Sequence, residues 1–331
     1  MIVGDLSARL AAWLSEQRRD TVDVRGLAIS SAGARRVNAL FEAVGSSGSI
    51  RLALTMIPTA AVQILDVSDE AGVLALAEEA GVPVPHVHHV CTDAAVLGGP
   101  FFISTAVDGE TVPRRVLRLA QSAGIGDLAA TQLGDAIAHL HRLDPDAAPA
   151  ALVRPPADAP IAAALAGVDV LLDALLDPSP TFAYGTRWLE RNAPVEPAVL
   201  TVLHSDIRTG NIIVGEDGLR AILDWETARV GDPMEDVAWP CMRMWRFRED
   251  DRLVGGLGGL DPFRDAYVAA GGSWDEERFR WWRVLGTIRW GLGLADQARA
   301  HLDGSFPSIV MAGSGRRVPE LEYDTLLLVR P

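Results

Sequence analysis

Val202-Leu-His-Ser-Asp-Ile-Arg-Thr-Gly-Asn-Ile-Ile-Val-Gly-Glu-Asp-Gly-Leu-Arg-Ala-Ile-Leu-Asp-Trp-Glu226 is the stretch from which the rest of the chain is read. Ile212 to Val214 and Leu219 to Leu223 are two short apolar runs. Glu216-Asp217-Gly218 lies between them, and Asp-Gly is a strong hairpin turn signal. In an antiparallel hairpin the start of the first strand lies beside the end of the second. Asn211 and Asp224 therefore share the open end, and Asp206 sits in the loop that delivers the chain to it. Three oxygen-bearing side chains converge. A carboxylate and an amide oxygen suit Mg²⁺, a hard cation that prefers oxygen. A further carboxylate suits a hydroxyl that must be positioned or deprotonated for attack on phosphorus. The plainer alternative is an Asp and an Asn decorating turns, as both residues commonly do.

The rest of the sequence narrows the class. The chain has 331 residues, 49% of them apolar, enough for two lobes with a real core. Its net charge is −14, which argues against a nucleic-acid binder, since that would need a basic face. The two cysteines, Cys91 and Cys241, are too far apart in sequence for a zinc motif or a disulfide framework. All thirty cations are arginine; there is no lysine. The N-terminal segment reads as an amphipathic helix (Leu6, Leu10, Trp13 and Leu14 on one face) rather than a signal peptide. No apolar run is long enough for a transmembrane helix, so no membrane partner is expected and the cytoplasm is the expected compartment.

Strands dominate early and helices later. Val37 to Val44 and Ile50 to Met56 flank Gly45-Ser46-Ser47-Gly48 and read as a hairpin. Ser68 to Ala80 reads as a helix stopped by Gly81-Val-Pro-Val-Pro85. Val87 to Val90 and Phe101 to Thr105 are further strands. Asp127 to Leu143, a long helix running through Leu176, and the Trp281, Leu285, Ile288, Leu292 repeat read as helices. The pattern is α+β with two unequal lobes.

His204-x-Asp206-x4-Asn211, followed by a strand ending in Asp224, has the spacing of kinase catalytic loops and their metal-binding aspartate. Trp188-Leu-Glu-Arg-Asn192, Leu223-Asp-Trp-Glu226, Gly231-Asp-Pro-Met-Glu-Asp236, Trp281-Trp-Arg-Val-Leu-Gly and Arg289-Trp-Gly291 accompany it, with Pro100-Phe-Phe102 and Val107-Asp-Gly109 earlier. On these motifs the chain resembles the aminoglycoside phosphotransferase superfamily, nearest the kinase domains fused to acyl-CoA dehydrogenases. The resemblance spans nearly the whole chain, strongest over 185–240 and loose before residue 60. It implies a bilobal protein-kinase-like fold: a nucleotide-binding lobe of small antiparallel sheet over 1–107, and a helical lobe with the substrate pocket over 108–331.

Its implied activity is ATP- and Mg²⁺-dependent transfer of a phosphoryl group to a small-molecule hydroxyl. A hydroxyacyl thioester or other metabolite is the expected acceptor, and an aminoglycoside antibiotic is a narrower alternative. Asp206 would be the base and Arg208 the cation at the transferred group. Asn211 and Asp224 would hold the metal, and His204 and Asp236 would brace the loop. Glu70, Arg35, Arg36, Ser104 and Ala106 would face the nucleotide. Glu226 and Arg243 would face the substrate. Asp232 either does the same or caps the helix starting at Pro233. Ser205 stands where a glycine is more usual.

One position departs from the pattern. Thr55 occupies the register of the third-strand lysine that grips phosphates and pairs with a helix glutamate, a place that Glu70 fits here, counting back from Gly81-Val-Pro. Arg51 shares its face, but four residues along a strand is about 13 Å. Ser30 to Arg36, the expected phosphate-covering loop, has one glycine. Arg35 or Arg36 could replace the missing cation; projection into solvent is the expectation for both. The competing class is therefore a kinase-like binding protein with weak or no catalysis.

Overall fold

The structure is a computed structural model that describes residues 3–32, 36–59, 61 and 63–330. Its first part runs α1 (Val3–Arg18), β1 (Asp23–Ala32), β2 (Val37–Gly45), β3 (Gly48–Met56), α2 (Val67–Glu79), β4 (Val87–Cys91), α3 (Ala94–Leu97) and β5 (Phe101–Thr105). The strands form one antiparallel sheet in the order β1-β2-β3-β5-β4. The helical part follows with α4 (Pro113–Ser122), α5 (Gly126–His141), α6 (Pro160–Asp173) and α7 (Pro180–Arg191). Four short strands come next: β6 (Thr201–Leu203), β7 (Ile212–Gly215), β8 (Gly218–Ile222) and β9 (Arg229–Gly231). The chain closes with α8 (Pro233–Ala238), α9 (Leu260–Ala269), α10 (Glu276–Leu302), α11 (Ile309–Gly315) and α12 (Val318–Val329). A small antiparallel sheet at the N-terminal end and a larger helical part make the α+β arrangement of two unequal parts that the sequence pattern predicts.

Alternation along β3 sorts its side chains to two faces. Leu52, Leu54 and Met56 are buried with Phe41, Phe101 and Ile103, under Leu6, Leu10 and Leu14 of α1. The three α1 leucines recur every four residues, the spacing of one helix face. Burying each contributes about 1.5–3 kcal/mol. The opposite face carries Ala53 and Thr55. Cross-strand register places Leu40, Ala53 and Ser104 in one row on that face, and Asn38, Thr55 and Phe102 in the next. Leu40 is 40% exposed, so this face is open.

Two local expectations are corrected. The 45–48 loop is tighter than expected, because Gly45 and Gly48 pair and only Ser46 and Ser47 form the turn. Ser30, expected in the loop, lies in β1, which the sequence pattern conceals. Register shifts between Arg25 and Ala28 and between Ile29 and Ser31 break its two-residue period, with Gly26 at φ +62°.

The second hairpin, β7–β8, pairs Ile212 with Ile222. Backbone hydrogen bonds tie it to the first part of the chain. Ile222 N–H donates to the Pro83 carbonyl at 2.8 Å, and Glu110 and Val214 exchange bonds of 2.9 and 3.1 Å. The motifs Gly81-Val-Pro and Val107-Asp-Gly thus serve as anchors for the hairpin. Gly109 allows the close approach. Its φ is +150°, and a Cβ there would lie 2.5 Å from Ile213 Cγ2 and 2.8 Å from the Val214 carbonyl oxygen. Gly109→Ala is expected to destabilise the chain by about 1–3 kcal/mol, read as a lower midpoint in denaturant unfolding.

Candidate functional site

The loop between β6 and β7 is held by one carboxylate. Asp236, on α8, is fully buried. It accepts the His204 N–H and the Ser205 N–H, each at 2.7 Å, and His141 Nε2 lies 3.5 Å away. Burial alone would raise its pKa. The His141 contact and the two backbone N–H bonds outweigh that and hold the carboxyl below its ordinary range. Ser205 has φ +70°, so the unusual serine occupies a backbone position that favours glycine. Arg229 Nε donates to its Oγ at 2.9 Å.

His204 joins the loop to the hairpin end. Its Nδ1 accepts the Asp206 N–H at 3.2 Å, which leaves the proton on Nε2, donated to the Leu223 carbonyl at 2.9 Å. Both ring nitrogens are thus used, and neither is free for proton transfer. Leu223 N–H in turn donates to the Asn211 carbonyl at 2.8 Å. Asp206 and Asp224 are fixed relative to each other through this short chain of bonds.

The Asp206 carboxylate receives three neighbours. Arg208 Nε contacts both of its oxygens at 3.1 and 3.2 Å, Asn211 Nδ2 donates to Oδ2 at 2.8 Å, and Trp239 Nε1 donates to Oδ1 at 3.0 Å. Arg208 also lies over the Trp245 ring, 5.2 Å from its centroid. Gly210 leaves room for it, since a Cβ there would meet Arg208 Nη1 at 2.4 Å. The sequence motifs do not single out Trp239. The signal that could have found it is the three-residue step from Asp236, which puts both on one helical face.

The open end of the hairpin offers hard oxygen donors. Asn211 Nδ2 is bonded twice to Asp206, to its backbone oxygen at 2.9 Å and its side chain, so Oδ1 points the other way. The Asp224 side chain is 35% exposed and sits on a residue at φ +67°, a strained backbone that aims the carboxylate out of the strand line. An amide oxygen and a carboxylate fit Mg²⁺, which keeps water and phosphate as its remaining ligands. Among the described residues no group of three or more His, Cys, Asp and Glu could cage a metal.

Arg36 does not project into solvent. Its side chain is 11% exposed and forks onto Glu70, Nη1 to Oε1 at 2.9 Å and Nη2 to Oε2 at 2.7 Å. Its Nε donates to Glu226 Oε2 at 2.8 Å, and Nη1 lies 3.5 Å from Asp224 Oδ1. Burial opposes the charge, but the carboxylates outweigh it and hold the guanidinium above its ordinary pKa. Arg35 lies outside the described residues. Arg51 is exposed and pairs with Asp108, away from this cluster. Ser104 is buried on the open face of the sheet, while the Ala106 N–H is committed to the Arg51 carbonyl at 3.1 Å. Glu226, expected at the substrate, stands instead with Arg36, on the Glu70 side.

The model of the phosphotransferase enzyme family matches residues 33–282, a span that contains this loop, the hairpin and Glu70. The chain belongs to that family. It is 30% identical over 181 residues to Probable acyl-CoA dehydrogenase IBR3 of Arabidopsis thaliana, and 22% identical over 263 residues to acyl-CoA dehydrogenase family member 10 of Mus musculus. These matches cover 51% and 74% of the chain, which spans only 21% and 24% of the length of those relatives. Among solved structures, a thermostable mutant of aminoglycoside phosphotransferase APH(4)-Ia, in ternary complex with ADP and hygromycin B, superposes with a TM-score of 0.62 at 17% identity. That superposition covers 95% of this chain and 98% of the other.

Of the remaining residues in this member of the family, Asp232 caps α8. It accepts the Met234 N–H at 2.9 Å and Trp282 Nε1 at 2.8 Å, and is 1% exposed. The cap bond engages Oδ1 and the Trp282 indole engages Oδ2, so both oxygens are committed inside the protein. Arg243 bridges Asp324 at 2.8 Å and Asp250 at 2.7 Å. It lines an open cleft of about 1030 Å³ beside α4 and α12, together with Arg114, Arg118, Arg248, Arg317 and Tyr323.

Asp236→Asn removes the charge that holds the loop and faces one backbone N–H with an amide donor. It is expected to cost about 2–4 kcal/mol at neutral pH. A carboxyl with a depressed native pKa stabilises fully above its unfolded value of about 3.9, and that contribution is lost as pH falls through the native pKa. The stability gap between wild type and variant in denaturant unfolding should therefore be constant above pH ~4 and shrink below it.

Proposed function

We propose that this phosphotransferase moves the terminal phosphoryl group of ATP, with Mg²⁺, to a hydroxyl of a small molecule, in the cytoplasm and without nucleic-acid or membrane partners. The observation that carries the reading is the Asp206 carboxylate, fixed by Asn211 and Trp239 beside Arg208 and tied through His204 to the Asp224 end of the hairpin. Asp206 accepts the acceptor's hydroxyl proton as the new O–P bond forms and the bond to the ADP leaving group breaks. Arg208 faces the charge that develops on the transferred group, where a preorganised cation is most effective. Asn211 Oδ1 and Asp224 would hold Mg²⁺, which supplies charge neutralisation to the phosphates. The ADP in the complex of APH(4)-Ia supports a nucleotide as the donor. Residues 1–107 would bind it and residues 108–331 would carry the acceptor.

The acceptor cleft favours one chemistry. Five arginines line it against four carboxylates, Glu249, Asp250, Glu320 and Asp324, and Arg114, Arg118 and Arg248 have no carboxylate partner among the described residues. In a chain of net charge −14 that local surplus suits an acceptor bearing phosphate or carboxylate, such as a hydroxyacyl thioester. A kinase-like binder without catalysis is favoured by two sequence features, Thr55 in place of the lysine and the single glycine of the 30–36 segment.

Phosphate transfer from [γ-³²P]ATP to a panel of hydroxylated acceptors tests the reading. Asp206→Ala should lower kcat by about 100-fold or more. Equal transfer by wild type and variant would remove Asp206 from the mechanism, and no transfer to any acceptor would favour the binder. Preference for aminoglycosides over anionic hydroxyl compounds would overturn the assignment of acceptor class.

A further inference from the structure

We propose that the phosphate-gripping cation of this enzyme has moved one strand over: Arg36, held by Glu70, performs at the edge of β2 what a lysine at position 55 would perform on β3. The inference rests on the phosphotransferase reading above and deepens it at the nucleotide site.

The sheet register makes the move possible. Asn38 pairs with Thr55, and paired residues project to the same face. Arg36 lies two residues before Asn38, so it has the same parity and enters the same face. Neighbouring strands are about 4.8 Å apart and two residues along a strand span about 7 Å. An arginine side chain covers that offset, so its guanidinium can reach the space over Thr55. Its partner marks the same place: Glu70 is the α2 glutamate expected to meet the lysine, and it takes Arg36 in a two-pronged fork.

Arg36 is also equipped for phosphate. A guanidinium has five N–H donors. Three are engaged here, two by Glu70 and one by Glu226. One hydrogen on each Nη remains, and Nη1 already lies 3.5 Å from Asp224. The free donors thus border the residue that would hold Mg²⁺. The row Leu40, Ala53 and Ser104 on the open face lies about 13 Å along β2 from Arg36. A nucleotide with its base over that row would extend its phosphates toward Arg36 and Asp224.

The charge count adds an order. Glu70, Asp224 and Glu226 against Arg36 leave the cluster at −2 when all are ionised. Phosphates entering alone would meet net repulsion, whereas a divalent cation brings the cluster to neutrality. Nucleotide binding should therefore depend strongly on Mg²⁺.

The test is the affinity for ADP, measured by calorimetric titration with and without Mg²⁺ on the whole chain. Arg36→Ala leaves Glu70 buried without a partner and threatens the fold, so Arg36→Ala/Glu70→Gln is measured beside it. Arg36→Ala/Thr55→Lys restores a cation from the other strand while keeping Glu70. We expect wild type to bind MgADP at least tenfold more tightly than ADP alone. Arg36→Ala/Glu70→Gln should unfold cooperatively yet lose at least about tenfold in MgADP affinity, and Arg36→Ala/Thr55→Lys should recover most of that loss. If wild type binds MgADP and the Arg36→Ala/Glu70→Gln variant binds it equally well, Arg36 is only a structural strut. It is equally a strut if Arg36→Ala/Thr55→Lys restores thermal stability but not affinity. A wild-type chain that binds no MgADP overturns the phosphotransferase reading itself, a different result from either.

Discussion

The arrangement of this molecule depends on a buried carboxylate receiving two backbone N–H groups. Asp236 has no access to water, and the loop it holds begins at the end of a three-residue strand. Such a loop has few hydrogen bonds of its own to define its path. Charge-assisted bonds of 2.7 Å to His204 and Ser205 supply that definition. They also hold the backbone as it enters Ser205, a serine at positive φ. Once His204 is fixed, its ring sets the distance between the Asp206 loop and the hairpin end. One charge on α8 thereby positions two carboxylates that lie on different elements.

A second cluster performs the same work across the sheet. Arg36, Glu70, Asp224 and Glu226 come from the edge of β2, from α2 and from the end of the β7–β8 hairpin. The backbone bonds of Pro83 and Glu110 to the hairpin carry no side-chain information, so they hold the two parts together without specifying the site. The arginine fork supplies the specificity. A planar guanidinium bound at two edges has a fixed orientation that a lysine ammonium would lack.

The sequence makes some of this legible and hides the rest for physical reasons. The β7–β8 hairpin and the convergence of Asp206, Asn211 and Asp224 follow from local signals: alternation, an Asp-Gly turn and a five-residue spacing. The α10 core repeat, Trp281, Leu285, Ile288 and Leu292, is legible from helical periodicity, and all four are buried. Strand β1 is not, because its bulges destroy the period. Arg36 is legible as one of two surrogate cations, but its burial is not, since its partners stand 34 and 190 residues away. Glu226 escapes local reading for the same reason. Asp232 carries a cap signal and a functional one at once, and only its contacts with Met234 and Trp282 separate them.

The absent lysine bears on whether the site is worn out or rebuilt. A worn-out site would keep Thr55 and have no reason to gather charge nearby. Here a guanidinium and three carboxylates meet in a mostly desolvated place. Buried ion pairs contribute little net stability, because desolvation offsets most of their attraction; apolar residues of the same volume often hold a fold as well. The fold alone therefore gives weak reason for this cluster. A ligand that brings a divalent cation to Asp224 and phosphates to the unused donors of Arg36 gives a strong one, since it satisfies both the surplus negative charge and the remaining N–H groups.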